Sequence, residues 1–316
     1  MQNRIEDRSK GLTFFNNHSK AEDIKEFFHC MGRIQKRIVE LKGDNMALKI
    51  FEEIPPWEWP EDAAKIFLGV LRDEQADETE RLLAAELAGD ATVINDELVD
   101  ALLAIMSASK DSDSLRAKAV ISLGPALEYA YIDGFGDAED VPISENKFHE
   151  IQESLCKFYM DTKIPHEVRR RILEASVRAP QKWHQNAIRE AYSSGDDSWR
   201  LTAVFGMRFI RGFNDQILEA LVDENQEIHY QAVCAAGNWE VDAAWSQIAG
   251  LVTTEQTDKP LLLAAIEAAS SIRPQDTAQI LIDLTKSNDE DIVEAAYEAM
   301  AMAEVFLDVE DDESRH

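Results

Sequence analysis

The chain has 316 residues, 45% apolar and 29% charged, with 32 Lys+Arg against 61 Asp+Glu. The formal net charge of −29 argues against a duplex nucleic acid as partner, because neutralising phosphates supplies most of that affinity, and it favours solubility and basic or metal-bearing partners. Three scattered cysteines (Cys30, Cys156 and Cys234) make no disulfide framework, and no run of 18 uncharged apolar residues could span a bilayer; the expectation is a cytoplasmic protein with reduced thiols.

Residues 1–59 are expected to form an N-terminal helical cap, with a helix or helix pair over 20–53. The start, Met1 to Lys10, is polar and lacks the apolar stretch of a secretory signal. Residues 1–50 carry 10 basic and 7 acidic side chains, a net of +3, so the remainder carries −32. The PPWEWP stretch, Pro55 to Pro60, predicts a corner between helices that buries one Trp and starts the next helix.

From residue 60 to 305 one pattern recurs: a long or aliphatic residue, often Arg next, a small residue at +4, small or apolar at +8, then often Gly. It reads ERLLAAELAG from Glu80, LRAKAVISLG from Leu115, VRRRILEASV from Val168 and WRLTAVFGMR from Trp199. IHYQAVCAAG from Ile228, LLLAAIEAAS from Leu261 and IVEAAYEAMA from Ile292 complete the set. The spacings are 35, 53, 31, 29, 33 and 31 residues, and all but the second lie near the ~30–45-residue period of stacked helix pairs. Position +4 is Ala in six of seven segments, which lets neighbouring helices approach and suits a helix intrinsically. Helix-start signals precede several segments at Asp113-Ser114, Asp196-Asp197-Ser198 and Asn288-Asp289. Amphipathic partner helices are predicted at 95–108, 145–161, 181–193, 214–223, 240–252 and 275–286. The long spacing holds an insertion, 129–144, expected as an acidic surface loop. The stretch 306–316 reads as a solvated acidic tail.

On Leu115-Arg116, Ala119 and Leu123-Gly124 the chain resembles the HEAT-repeat superfamily, especially its short variant, the phycobilisome-lyase HEAT-like repeats. The resemblance implies an all-α fold, an α-α superhelix or HEAT-like solenoid of about seven helix pairs, with the seven segments lining its concave side. It does not imply a task, because the superfamily hosts many.

Metal chemistry finds little support. HEAT-like deoxyhypusine hydroxylases bind two irons through four His-Glu pairs at equivalent repeat positions. This chain has two such pairs, His149-Glu150 and His166-Glu167, and they are not equivalent. No Cys or His lies at zinc-ligand spacing to another. In the insertion, Asp133, Asp137, Glu139 and Asp140 invite calcium, but taking Asp133 as the first EF-hand position puts Phe135 at the third, where an acid is needed. No metal and no cofactor are therefore expected.

The strongest functional sign is a charge reversal. Lys163 to Arg189 holds seven basic residues and two acidic ones. At 100° per residue, segment offsets 0, +1, +4, +5, +7 and +8 share the buried arc, and +2, +3, +6 and +10 face away. The outward positions include Arg170, Arg171 and Arg178, then Phe205, Phe209 and Tyr230. These six are the candidate site: a basic lip beside aromatic groups, suited to a protein or peptide with acidic groups. The competing reading puts Phe205 and Phe209 in the core. The favoured function is a non-catalytic scaffold binding another protein or peptide on its concave face. Alternatives are a HEAT-like DNA-alkylation glycosylase using Arg170, Arg171, Trp183 and Trp199 or another nucleic-acid binder, and a bilin lyase-like chromophore binder.

Overall fold

The computed structural model describes residues 48–136 and 141–313, with 305–313 by backbone alone. The helices expected over 20–47, Cys30, the acidic side chains Asp137, Glu139 and Asp140, and the side chains of the tail lie outside the described residues. No strand occurs among those described.

The chain divides into two compact units, Met1–Ala179 and Pro180–His316. In the first, α1 (Lys49–Glu53) leads through the PPWEWP corner to α2 (Ala63–Arg72), α3 (Glu78–Leu87), α4 (Asp96–Ser107) and α5 (Asp113–Ile121). It continues with α6 (Gly124–Asp133), α7 (Glu145–Met160) and α8 (His166–Ser176). The second unit holds α9 (His184–Tyr192), α10 (Asp197–Met207), α11 (Asn214–Ala220), α12 (Gln226–Asn238), α13 (Trp245–Thr253), α14 (Lys259–Ile272), α15 (Pro274–Leu281) and α16 (Glu290–Glu313). Every repeat segment is a helix: α3, α5 and α8 stack in order in the first unit, and α10, α12, α14 and α16 in the second. Partner helices form the other layer, with α2 on α4 and α4 on α7, and α13 on α15.

Side-chain size explains the stacking. The seven +4 residues, Ala84, Ala119, Ile172, Ala203, Ala232, Ala265 and Ala296, are all fully buried. The recurrent Gly at +9 marks the tightest approach. A Cβ on Gly89 would stand 2.6 Å from the carbonyl oxygen of Ser122, and one on Gly237 would stand 2.8 Å from the Cα of Ala268. Gly124 faces Ala175 in the same way, 3.6 Å from its Cα, with Arg178 closer still. Ser122, Ala175 and Ala268 all occupy +7 of the following segment, so +9 of one helix seats +7 of the next.

The recurrent Arg at +1 has a separate role. Arg81 Nη2 donates to Leu71 O at 3.4 Å, Arg116 Nε to Met106 O at 2.9 Å and Arg169 Nε to Tyr159 O at 2.8 Å. Each acceptor lies ten residues back, at the penultimate position of α2, α4 and α7. The last carbonyls of a helix have no intrahelical donor and carry its negative end, so a guanidinium satisfies both.

Caps set the helix starts. Asp77, Asn95, Ser112, Ser144, Asp196, Asn225 and Asp258 each accept a hydrogen bond from a first-turn N–H. At α5 the cap is Ser112, one residue before the Asp113-Ser114 expected from sequence. The insertion also departs from the loop expected at 129–144: its first residues belong to α6, which buries Ala126, Leu127 and Ala130 and ends at Gly134, whose φ is +67°. Pro125 suits the first turn of that helix, and Gly134 supplies the left-handed residue that stops it.

Candidate functional site

The three candidate arginines belong to the first unit and the three aromatics to the second, so each group is described within its own unit. In α8 the predicted phase holds for Val168, Ile172, Leu173, Ala175 and Ser176, all buried. It differs at Arg170, which is 7% exposed. Its long side chain folds along its own helix, with Nη2 2.6 Å from Glu167 Oε1 and Nη1 3.6 Å from Glu174 Oε2. Arg171 reaches the same two carboxylates at 3.1 and 2.7 Å. Burial pushes the Glu167 carboxyl up, but Arg170 and Arg171 outweigh that and hold it below its ordinary value. Arg178 pairs with Glu128 of α6. The run of positive charge legible in the sequence is thus locally compensated at these three positions.

The second unit presents a strip on consecutive segment helices. Phe205 and Phe209, one turn apart on and just past α10, lie with ring centroids 5.3 Å apart and are half-buried. Arg208 lies over both rings, at 5.6 and 5.9 Å from their centroids. Its Nη1 donates to Gln231 Oε1 of α12 at 3.1 Å, and its Nε is buried with no hydrogen-bond partner among the described residues. Tyr230 and Cys234 stand one turn apart beside Gln231, half-buried. Burial pushes the Cys234 thiol up, keeping it protonated. On α12 the buried set is Ile228, Ala232, Val233, Ala235, Ala236 and Gly237, which leaves Tyr230, Gln231 and Cys234 on the opposite arc as expected.

Arg208 was missed because it sits at +9, outside the outward offsets. The available signal was its place between two phenylalanines, three residues after one and one before the other, where a cation on a helix end meets both rings. Asn238 Nδ2 on Arg208 O at 3.1 Å and the Trp239 indole N–H on Met207 O at 2.5 Å fix the end of α10. A second unforeseen feature is His184, fully buried at the start of α9. Its Nδ1 accepts from Gln181 N at 2.9 Å, and burial lowers its pKa to about 3.

The other sequence candidates separate. Glu150 pairs with Lys147 at 2.6 Å and Glu167 with the two arginines. Among the described residues no group of three or more His, Cys, Asp or Glu could hold a metal ion. Trp199 is 5% exposed, and Trp183 is half-buried with its indole N–H on Gln181 Oε1, so Trp199 cannot line an open face. In the PPWEWP corner Trp59 joins an aromatic cluster while Trp57 is 76% exposed. Cys156 and Cys234 are free thiols. No helix among the described residues is long and apolar enough to cross a membrane.

No curated protein matches the chain. Among solved structures it is similar to YibA of E. coli, at 16% identity and a TM-score of 0.47 over 91% of this chain and 99% of that one. It is also similar to human deoxyhypusine hydroxylase in complex with glycerol, at 16% identity and a TM-score of 0.36 over 89% and 98%. An engineered protein aligns at 16% identity and a TM-score of 0.34 over 78% and 98%. Residues 214–301, which run from α11 into α16, match the family described as HEAT repeats. That match lies on the same alternation of segment and partner helices, so residues 214–301 of this all-helical chain read as HEAT repeats.

Proposed function

We propose that the chain is a non-catalytic, cytoplasmic scaffold that holds a segment of another protein, and that the α10–α12 strip of the second unit is where it does so. One observation carries this reading: in a chain of net charge −29, Arg208 has no carboxylate partner among the described residues and lies across two half-buried phenylalanine rings. An acidic group arriving at Arg170, Arg171 or Arg178 must compete with Glu167, Glu174 or Glu128. At Arg208 no carboxylate among the described residues stands within ion-pair distance to compete. A carboxylate there gains a charge-assisted hydrogen bond, while Phe205, Phe209 and Tyr230 supply apolar area, which dominates such contacts.

The test is affinity capture from the source cell with wild type, Arg208→Glu and Arg170→Gln, each checked for folding by circular dichroism. Proteins held by the wild type should be lost with Arg208→Glu and kept with Arg170→Gln. Identical captured sets for all three would place binding elsewhere.

A further inference from the structure

The PPWEWP corner is built to hold one tryptophan in place and push the other out. Pro55, Pro56 and Pro60 restrict the backbone, and a 3-10 turn spans Pro56–Glu58. Trp59 is the anchor. Its indole N–H donates to Phe51 O at 3.1 Å and Ile54 O at 3.2 Å, and its ring meets Phe51 and Phe67 edge-on at 5.7 and 5.4 Å. Phe51 and Phe67 are themselves buried and in edge contact at 4.9 Å. The backbone that carries Trp57 is therefore set from both sides, yet Trp57 is 76% exposed. An exposed indole on a fixed turn loses little freedom on binding, which is what a preformed interface anchor requires.

The surroundings say what it would meet. Glu52, Glu53, Glu61 and Asp62 are exposed and Glu58 half-exposed, and none of the five has an ion-pair partner among the described residues. An exposed indole flanked along the chain by these carboxylates attracts a cation twice, by its quadrupole and by Coulomb's law. The same carboxylates repel anionic lipid, which sets this tryptophan apart from a membrane-interface one.

We infer that Trp57 is the anchor of a second docking surface, in the first unit, for a partner-protein segment that presents arginine or lysine beside apolar side chains. This goes beyond the α10–α12 reading and does not depend on it. The probe is a fluorescein-labelled octapeptide of alternating arginine and leucine, titrated into the full chain at 50 and 300 mM salt and followed by anisotropy. Wild type should bind, and Trp57→Ala should weaken binding at least fivefold while its melting curve is unchanged. Trp57→Phe should stay within about twofold, since the ring face is kept. Glu58→Gln with Glu61→Gln should also weaken binding several-fold and leave less salt dependence, an arm that holds should Trp57→Ala melt differently. Equal binding by wild type and Trp57→Ala would reduce the effect to general attraction by an acidic protein and overturn the proposal. Self-association of wild type that Trp57→Ala abolishes in sedimentation would also overturn it, because the occupant would be a second copy.

Discussion

The two units share one packing rule and differ in how they tie their helices together. In both, a fully buried +4 residue and, where present, a +9 glycine bring successive segment helices close. In the first unit Arg81, Arg116 and Arg169 also bond back to the end of the preceding partner helix. In the second, the same position is Arg200, His229, Leu262 and Val293. Arg200 turns to Asp223 at 2.8 Å and to the ring of Tyr192 at 5.3 Å. Polar ties across about one repeat occur in both units, as with Arg81 on Asp111 and Lys118 on Glu86 in the first and Arg273 on Asp242 and Lys259 on Asp289 in the second, so it is the back-bond from this position that sets the first unit apart. Close packing is thus what the repeat demands, and the polar stitching is free to change from one unit to the next.

Substituting the shared arginine position in each unit tests this difference most strongly. Arg116 has a side chain 6% exposed and satisfies a buried carbonyl, so Arg116→Met should cost about 2–3 kcal/mol by stranding Met106 O. Arg200 is 30% exposed, though its partner Asp223 is only 10% exposed, and Arg200→Met should cost less, about 1–2 kcal/mol. Urea unfolding followed by far-UV circular dichroism measures both. Equal losses would mean that the back-bond contributes nothing that the Arg200–Asp223 pair does not.

Acid should act on the second unit through His184. Its folded pKa is about 3 against an ordinary 6.5, so between those values the unfolded chain binds the extra proton. The stability that comes from keeping it neutral is complete above pH 6.5 and is lost as pH falls towards 3. At pH 5 the loss is about 2 kcal/mol. His184→Gln should flatten the midpoint against pH between 7.5 and 5, and an unchanged slope would assign the dependence to other groups.

The segments, their phase and most partner helices were legible because a 30-residue repeat of small residues is a local signal that neighbours reinforce. Ile228, Ala232, Val233, Ala235 and Ala236 are buried as the phase predicts. What local phase cannot see is where a long side chain goes. Arg170 begins on the outward arc and ends buried on Glu167 and Glu174, because its reach exceeds the arc it starts from. Arg208 shows the converse: its position was unpromising, but its guanidinium lies on the rings that were picked. The carbonyl bonds of Arg81, Arg116 and Arg169 were visible as a recurring letter without a reason, since the acceptor ten residues back follows only once two helices are antiparallel. The α6 helix escaped because the acidic letters after Asp133 drew the whole insertion into a loop.

The sharpest test of packing makes one chemical change at two kinds of glycine inside the second unit, and its smaller arm is the smallest effect of all. Replacing a helical glycine by alanine restricts the unfolded chain and should stabilise by about 0.5–1 kcal/mol where the backbone is ordinary and there is room. Gly250 in α13 has that room: a Cβ there meets nothing within 4 Å. Gly237 in α12 does not, because its Cβ would stand 2.8 Å from the Cα and 3.0 Å from the Cβ of Ala268. Backbone cannot rotate aside as a side chain can, so α12 and α14 must separate, at a cost of about 1–3 kcal/mol that exceeds the propensity gain. Gly250→Ala should therefore melt slightly above wild type and Gly237→Ala below it, with Gly89→Ala following Gly237→Ala because its Cβ would meet Ser122 backbone at 2.6 Å. Adding Ala268→Gly to Gly237→Ala gives the new methyl no more space against the Cα at 2.8 Å, so the double variant should recover only part of the loss. Full recovery would locate the contact between side chains and not at the backbone. If Gly237→Ala melted as high as Gly250→Ala, the seating of +9 against +7 would not be what sets the spacing of these helices.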